Sequence, residues 1–472
     1  MTELLKGKYL WSICFLYFVL IFAYSYFSES IPVSDGLGWD GVFYGELATD
    51  FFTKLNSGEI TNQKIRRILP SFIIYVSLFL SDRDHNIQNV IIFFKIFNAI
   101  SLSIALFYWI NICKALNFCK YKILISTTLA FINFMFIKFV SYYPVLTDYF
   151  SYALTIAGVY YWLRGDIVKI FLITIMACFT WPALFYQMLI LLCFPYTKTL
   201  KSNDITSIQF SISLKYFLIF FVLCSSVLTT LFAYNNGILE IDKLSIGFAN
   251  SAFLIGSGVF TISCIISTQR NKLHFLPPLK TFVFSLLTFL ILLYIPALFK
   301  TVPDNISPFF VIKLFILRSF EYPLINLLPH AIILSPFVIY ILTQPNKLSF
   351  SVSKFGSAGV FIFLFGLLFI FNSESRHMIH FYPFLVLFFI DHVKANQQSL
   401  IIILLIQIIA SSFYILINTH TGINSDLFFV YISPFISESS FYYYLLPFGL
   451  FLYSLFFFLI KHFILPLSSF QK

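Results

Sequence analysis

The chain has 472 residues, 59% of them hydrophobic and only 11% charged, with a mean hydropathy of +0.89 and a formal net charge of +10. A soluble domain carries about 25% charge, so this composition excludes an ordinary water-soluble fold. It predicts an all-α, polytopic transmembrane helical bundle of about 13–14 spans, a single integral membrane domain over residues 1–472.

In chain order, the apolar runs predict spans near 10–27, 88–110, 122–140, 148–163, 168–181, 182–194, 214–233, 247–268, 281–299, 324–343, 355–371, 379–393, 399–417 and 441–461. The first follows Lys6 and Lys8 and is read as a membrane helix rather than a cleaved signal, because no small-residue cleavage site follows it. The least regular stretch, 168–194, divides at Trp181-Pro182. Two spans there keep the later basic clusters on one side.

With the N-terminus inside, 18 of the 30 Lys and Arg fall on the cytoplasmic side, while 16 of the 20 acids fall outside. Both termini are then cytoplasmic in a multi-pass protein of the plasma or inner membrane. The positive charge is explained by this orientation, and no nucleic-acid partner is expected. The inside loops are short and hold no Gly-rich phosphate cradle, so a cytoplasmic nucleotide-binding domain is excluded. The seven cysteines lie in spans or inner loops and imply no disulfide framework.

The longest polar stretch, residues 28–88, is the first outer loop. Trp39, Phe43, Leu47, Phe51 and Leu55 recur every four residues, which predicts an amphipathic helix lying on the outer membrane surface. Its polar side carries Glu46, Asp50 and Lys54. Asp35 reads as a turn residue. Asp40, at the helix start, reads either as an N-cap or as a catalytic or metal-binding carboxylate.

Arg66 and Arg67 precede a short apolar helix at Pro70. They suit bidentate contact with phosphate or anchorage to lipid headgroups. Asp148 opens the span at 148–163, as a helix cap or as a second acid facing Asp40. The outer turn from Asn372 to Pro383 carries Arg376, His377 and His380, which suit a phosphate and a leaving oxygen or simply a solvated loop. The segment 300–322 reads as interfacial or re-entrant. Lys95 and Lys138 lie near span ends, can snorkel outward, and take no role.

The block Gly38-Trp39-Asp40-Gly41-Val42-Phe43-Tyr44, followed by Arg66-Arg67-Ile68-Leu69-Pro70, resembles the GT-C superfamily of membrane glycosyltransferases. It looks like bacterial members with W/Y-D-G-x-F/W-Y after the first span and R-x-x-x-P before the next. Thr147-Asp148 resembles the acid of the second outer loop, and Arg376-to-Pro383 a late Arg-and-Pro motif.

The resemblance implies transfer of a sugar from a polyprenyl-phosphate carrier to an acceptor at the extracytoplasmic face, generally with inversion. By position, Asp40 and Asp148 would be the catalytic acids, and would hold a divalent metal (Mg or Mn) if one is used. Arg66, Arg67, Arg376, His377 and Tyr44 would bind substrate and carrier phosphate. No large soluble domain is expected near the C-terminus, which favours a glycan or glycolipid acceptor. An O-antigen or polysaccharide polymerase and a lipid-linked glycan flippase or transporter are the competing readings. A polymerase would place its largest outer loop late in the chain. A transporter would show repeats and charges deep within spans.

Overall fold

In the computed structural model, the described residues are 7–31, 33–196, 223–227, 230, 255, 259, 277–294, 298–299, 302, 328–340, 344–370, 375–420, 446–460 and 463. The regular elements they form are all helices, without strands. They fall into two compact units. One comprises Met1–Tyr196 with Leu276–Asn305, the other Thr197–Phe275 with Ile306–Lys472.

The first unit opens with α1 (Gly7–Phe27), whose Trp11, Phe15, Leu16 and Leu20 are exposed. Large apolar side chains left outside a fold mark contact with another apolar phase. Then follow α2 (Gly38–Thr49), α3 (Phe51–Asn56), α4 (Leu69–Leu80) and α5 (Ile87–Ala115). Asn86 starts α5 as its N-cap, its side chain accepting the Asn89 N–H at 2.9 Å.

The stretch predicted as a span at 122–140 is instead two helices, α6 (Lys120–Phe131) and α7 (Met135–Tyr142), bent by 56°. Asn133 sits in the break, where its Oδ1 accepts the Phe136 N–H at 3.3 Å and starts the new helix, which opens with a π turn over Met135–Phe139. After α8 (Asp148–Leu163) come α9 (Ile167–Cys178), α10 (Pro182–Cys193) and α11 (Leu279–Tyr294). The division at Trp181-Pro182 stands, with Pro182 in the first turn of α10, where its missing N–H costs nothing.

Helix α5 runs through the middle of this unit, packed against α1, α2, α4, α6 and α8. Its Phe94, Leu102, Ala105, Trp109 and Cys113 are fully or almost fully buried. A smaller core lies beneath the first loop. There Leu47, Phe51, Ile60, Ile65 and Ile68 pack with Phe43, Leu55, Phe72 and Phe179. Of the apolar stripe read from the sequence, Leu47 and Phe51 are buried in this core and Phe43 and Leu55 are partly buried against it.

The second unit contains α12 (Leu328–Ile333), α13 (Pro336–Tyr340), α14 (Pro345–Ser353), α15 (Gly356–Ile370), α16 (Tyr382–Ile390), α17 (Gln397–His420) and α18 (Leu446–Leu459). Tyr382 donates to the Leu334 carbonyl at 3.1 Å, and Lys354 pairs with Asp391 at 2.7 Å.

Among the described residues two helices, Tyr9–Phe27 and Ile87–Ala115, are long and apolar enough to cross a membrane, or three if the bent α6–α7 pair is one span. The other apolar helices have stretches of 10–17 apolar residues among those described, and α17 continues to His420. These helices are compatible with a membrane protein. The spans predicted at 214–233 and 247–268 lie almost wholly outside the described residues, as does the segment 300–322 apart from Val302. The described cysteines are all free.

Candidate functional site

The entry to α2 is built on left-handed backbone. Ser34 (φ 50°), Asp35 (φ 55°), Gly36 (φ 95°) and Gly38 (φ 70°) all have positive φ. Asp tolerates this region better than most residues, and glycine adopts it freely. Asp35 is thus a turn residue, as its neighbours predict. The helix begins at Gly38 with Leu37 as N-cap and no side-chain cap. Asp40 is the third helical residue, so it is not the cap.

The first-turn N–H groups are satisfied from far along the chain. The Asp40 N–H donates to Tyr143 Oη at 2.7 Å, and the Gly41 N–H reaches the same oxygen at 3.3 Å. This approach needs glycine. A Cβ on Gly38 would lie 2.4 Å from the Tyr143 ring, and one on Gly41 would lie 3.0 Å from the Val145 carbonyl. The buried face of α2 is therefore Gly38, Gly41, Tyr44, Gly45, Leu47 and Ala48, while Trp39 is 39% exposed. The four-residue apolar period misplaces Trp39 because it follows large side chains, whereas this contact is made by small ones.

Tyr44 lies one helical turn beyond Asp40, on the same side of α2. Its Oη accepts a hydrogen bond from Arg67 Nη1 at 3.3 Å. The Arg67 guanidinium stacks over Trp181, 4.1 Å from the ring centroid. Its neighbour Arg66 diverges and donates from Nη2 to the Leu293 carbonyl of α11 at 3.4 Å. Ser71 Oγ ties the Tyr44 carbonyl to α4 at 3.0 Å. The sequence marks Trp181 as a helix break and does not single out Tyr143. What marks them is aromatic placement at helix ends, which gains meaning only once the helices pack.

Asp148 is the first residue of α8 and is fully buried. The turn that leads to it, Tyr143-Pro144-Val145-Leu146-Thr147, is buried throughout. Asn98 of α5 pins it by donating from Nδ2 to the Pro144 carbonyl at 2.7 Å. One turn therefore touches Asp40's helix through Tyr143 and Val145 and ends in Asp148. Burying a carboxylate is costly unless surrounding groups compensate it.

On the outer side of α2, Glu46 pairs with Lys54 at 3.0 Å, and this hydrogen bond raises the pKa of the Lys54 ammonium. Lys64 covers the Phe43 ring at 4.7 Å. Arg376 and His377, half-buried, lie in the short helical turn Ser375–Met378 of the second unit, and His380 is buried just after it. Among the described residues no three His, Cys, Asp or Glu side chains converge to hold a metal ion. The side chains described do not form a protein cage for Mg or Mn.

No family model, curated protein or solved structure matches this chain.

Proposed function

We propose that the chain is a polytopic membrane glycosyltransferase of the GT-C type, moving a sugar from a polyprenyl-phosphate carrier to a glycan or glycolipid acceptor at the extracytoplasmic face. The observation that carries this reading is the Tyr143 bridge. It joins the first-loop segment Gly38–Tyr44 to the turn that ends in Asp148, with Arg67 one hydrogen bond away at Tyr44.

In the step proposed, an acceptor hydroxyl oxygen attacks the anomeric carbon. The Asp40 carboxylate takes the hydroxyl proton. The bond from the anomeric carbon to the carrier phosphate breaks, and its electron pair leaves on the phosphate oxygen. Arg67, held over the Trp181 ring, faces that developing charge with a fixed fork of donors. Asp148, fully buried at the end of the same turn, is assigned as the second acid by the resemblance. Arg66 serves chiefly to hold α11, given its bond to Leu293. Arg376 and His377 lie in the second unit and take no part in this step.

Deleting the gene and comparing cell-surface glycans by mass spectrometry tests this. Loss of one hexose from an otherwise intact glycan is expected. Loss of all polymer with single repeat units retained would assign a polymerase instead.

A further inference from the structure

Lys95 sits in the third turn of α5, within an apolar helix of 29 residues. It is 7% exposed, and Asn98, one turn further on, is fully buried. Ile91, Lys95 and Asn98 share one helical stripe. Two contacts fix where that stripe faces. A Cβ on Gly36 would lie 3.0 Å from Ile91 Cδ1, and Asn98 Nδ2 donates to the Pro144 carbonyl at 2.7 Å. The stripe thus faces the entry to α2 and the turn before Asp148, which together form the floor of the candidate site.

Two polar groups on this stripe are left over. Asn98 Oδ1 is buried without a hydrogen-bond partner. Its orientation is settled, because the Pro144 carbonyl can only accept and must face the amide nitrogen. Among the described residues Lys95 has no carboxylate, carbonyl or ring for its ammonium, and burial is the only influence acting on it. Lys138 is the contrast. It too is buried, but its ammonium lies 5.4 Å from the Tyr142 ring centroid and within the field of Glu29. Both lysines are buried, but Lys138 has a ring and an acid near its ammonium, whereas Lys95 has neither among the described residues.

We propose that Lys95 and Asn98 form a subsite for the phosphate of a lipid. A lysine side chain that is nine-tenths buried beside an unpartnered amide oxygen is costly without an anion, and ionisable groups at membrane depth that face protein rather than lipid mark ligand paths. Lys95 lies about 12 Å below the start of α5. A free phosphate ion would have to shed its water to reach it. A lipid brings the charge to that depth with its chain in the bilayer. Asn98 Oδ1 then accepts an O–H, either of a sugar or of a protonated phosphate. The identity of the lipid as a polyprenyl phosphate rests on the transferase reading; the anion subsite does not.

The test is binding to the full chain in phosphatidylcholine nanodiscs, with undecaprenyl phosphate, undecaprenol, phosphatidic acid and inorganic phosphate as probes. The wild type is expected to prefer undecaprenyl phosphate over undecaprenol by roughly tenfold or more. Lys95→Met should abolish that preference, and Lys95→Arg should keep most of it. Asn98→Asp removes the donor to the Pro144 carbonyl and sets a negative charge in the subsite, so it should lower the melting temperature and reverse the preference toward undecaprenol. If Lys95→Met fails to fold, Lys95→Gln carries the same comparison.

Competition by phosphatidic acid supports a phosphate subsite open to other lipids. Binding of inorganic phosphate as tight as that of the lipids contradicts the lipid source. A folded Lys95→Met protein with wild-type preference overturns the proposal. Asp40→Asn should bind undecaprenyl phosphate normally. If that variant also transfers sugar at full rate, the transferase reading fails while the binding result stands.

Discussion

Tyr143 and Asp40 are separated by 103 residues, yet the Tyr143 hydroxyl accepts the Asp40 backbone N–H at 2.7 Å. It does so where a helix-capping side chain would ordinarily stand, and it fixes the first turn of α2 against the loop that precedes α8. Replacing Tyr143 with Phe keeps the ring and removes the acceptor. Two first-turn N–H groups then lose their partner, at a cost of about 1–3 kcal/mol. Thermal unfolding in detergent should show that loss. Sugar transfer should fall further than stability, because Asp40 loses its fixed position.

Gly38 and Gly165 separate backbone strain from contact. Both have φ near +70°, but a Cβ on Gly38 meets the Tyr143 ring at 2.4 Å, whereas one on Gly165 meets nothing within 4 Å. Gly165→Ala should cost about 1 kcal/mol. Gly38→Ala should cost about 2–4 kcal/mol and abolish transfer. Equal melting temperatures for the two variants would contradict the close approach of α2 to Tyr143.

Arg67 and Arg66 should respond differently. Arg67 stacks on Trp181 and bonds Tyr44, a geometry that a lysine ammonium does not reproduce. Arg67→Lys should lower kcat roughly 10- to 100-fold, and Trp181→Leu should lower it in the same direction. Arg66→Gln, which loses only the bond to Leu293, should leave kcat within about threefold and cost about 1 kcal/mol of stability. Steady-state kinetics on the four proteins decides this.

Orientation can be read with a membrane-impermeant thiol reagent. Trp39 is 39% exposed beside Asp40, so Trp39→Cys should label from outside in intact cells. Cys119, which is exposed next to α6, should label only after permeabilisation, because it lies in a predicted cytoplasmic loop. The reverse pattern would place Asp40 in the cytosol and remove the transferase reading.

What the sequence made legible was local. Helix α8 runs from Asp148 to Leu163, matching the predicted 148–163, and the Trp181-Pro182 division falls where proline forbids a continuing helix. What it hid was tertiary. The face of α2 is set by glycines that no hydrophobic period detects, and the helix breaks again at Asp50, whose φ of −144° leaves the helical region. The bend at Asn133 carries no proline, so composition does not announce it. Asp40, Tyr44 and Arg67 were legible as candidates from a motif. Tyr143 and Trp181, which position them, become visible only when helices far apart in sequence meet. Lys95 reads as a snorkelling lysine because its depth is countable from sequence, while its burial within the fold is not.

The central claim is that the carboxylate of Asp40 acts on the acceptor hydroxyl. Asp40→Asn preserves size and leaves the Tyr143 bond to the backbone intact, so the protein should fold and reach the membrane at wild-type levels. Sugar transfer, measured by mass spectrometry of cell-surface glycans and by turnover with a polyprenyl-phosphate donor, should fall by roughly 100- to 10,000-fold. Wild-type glycans made by a stably expressed Asp40→Asn protein would contradict the account.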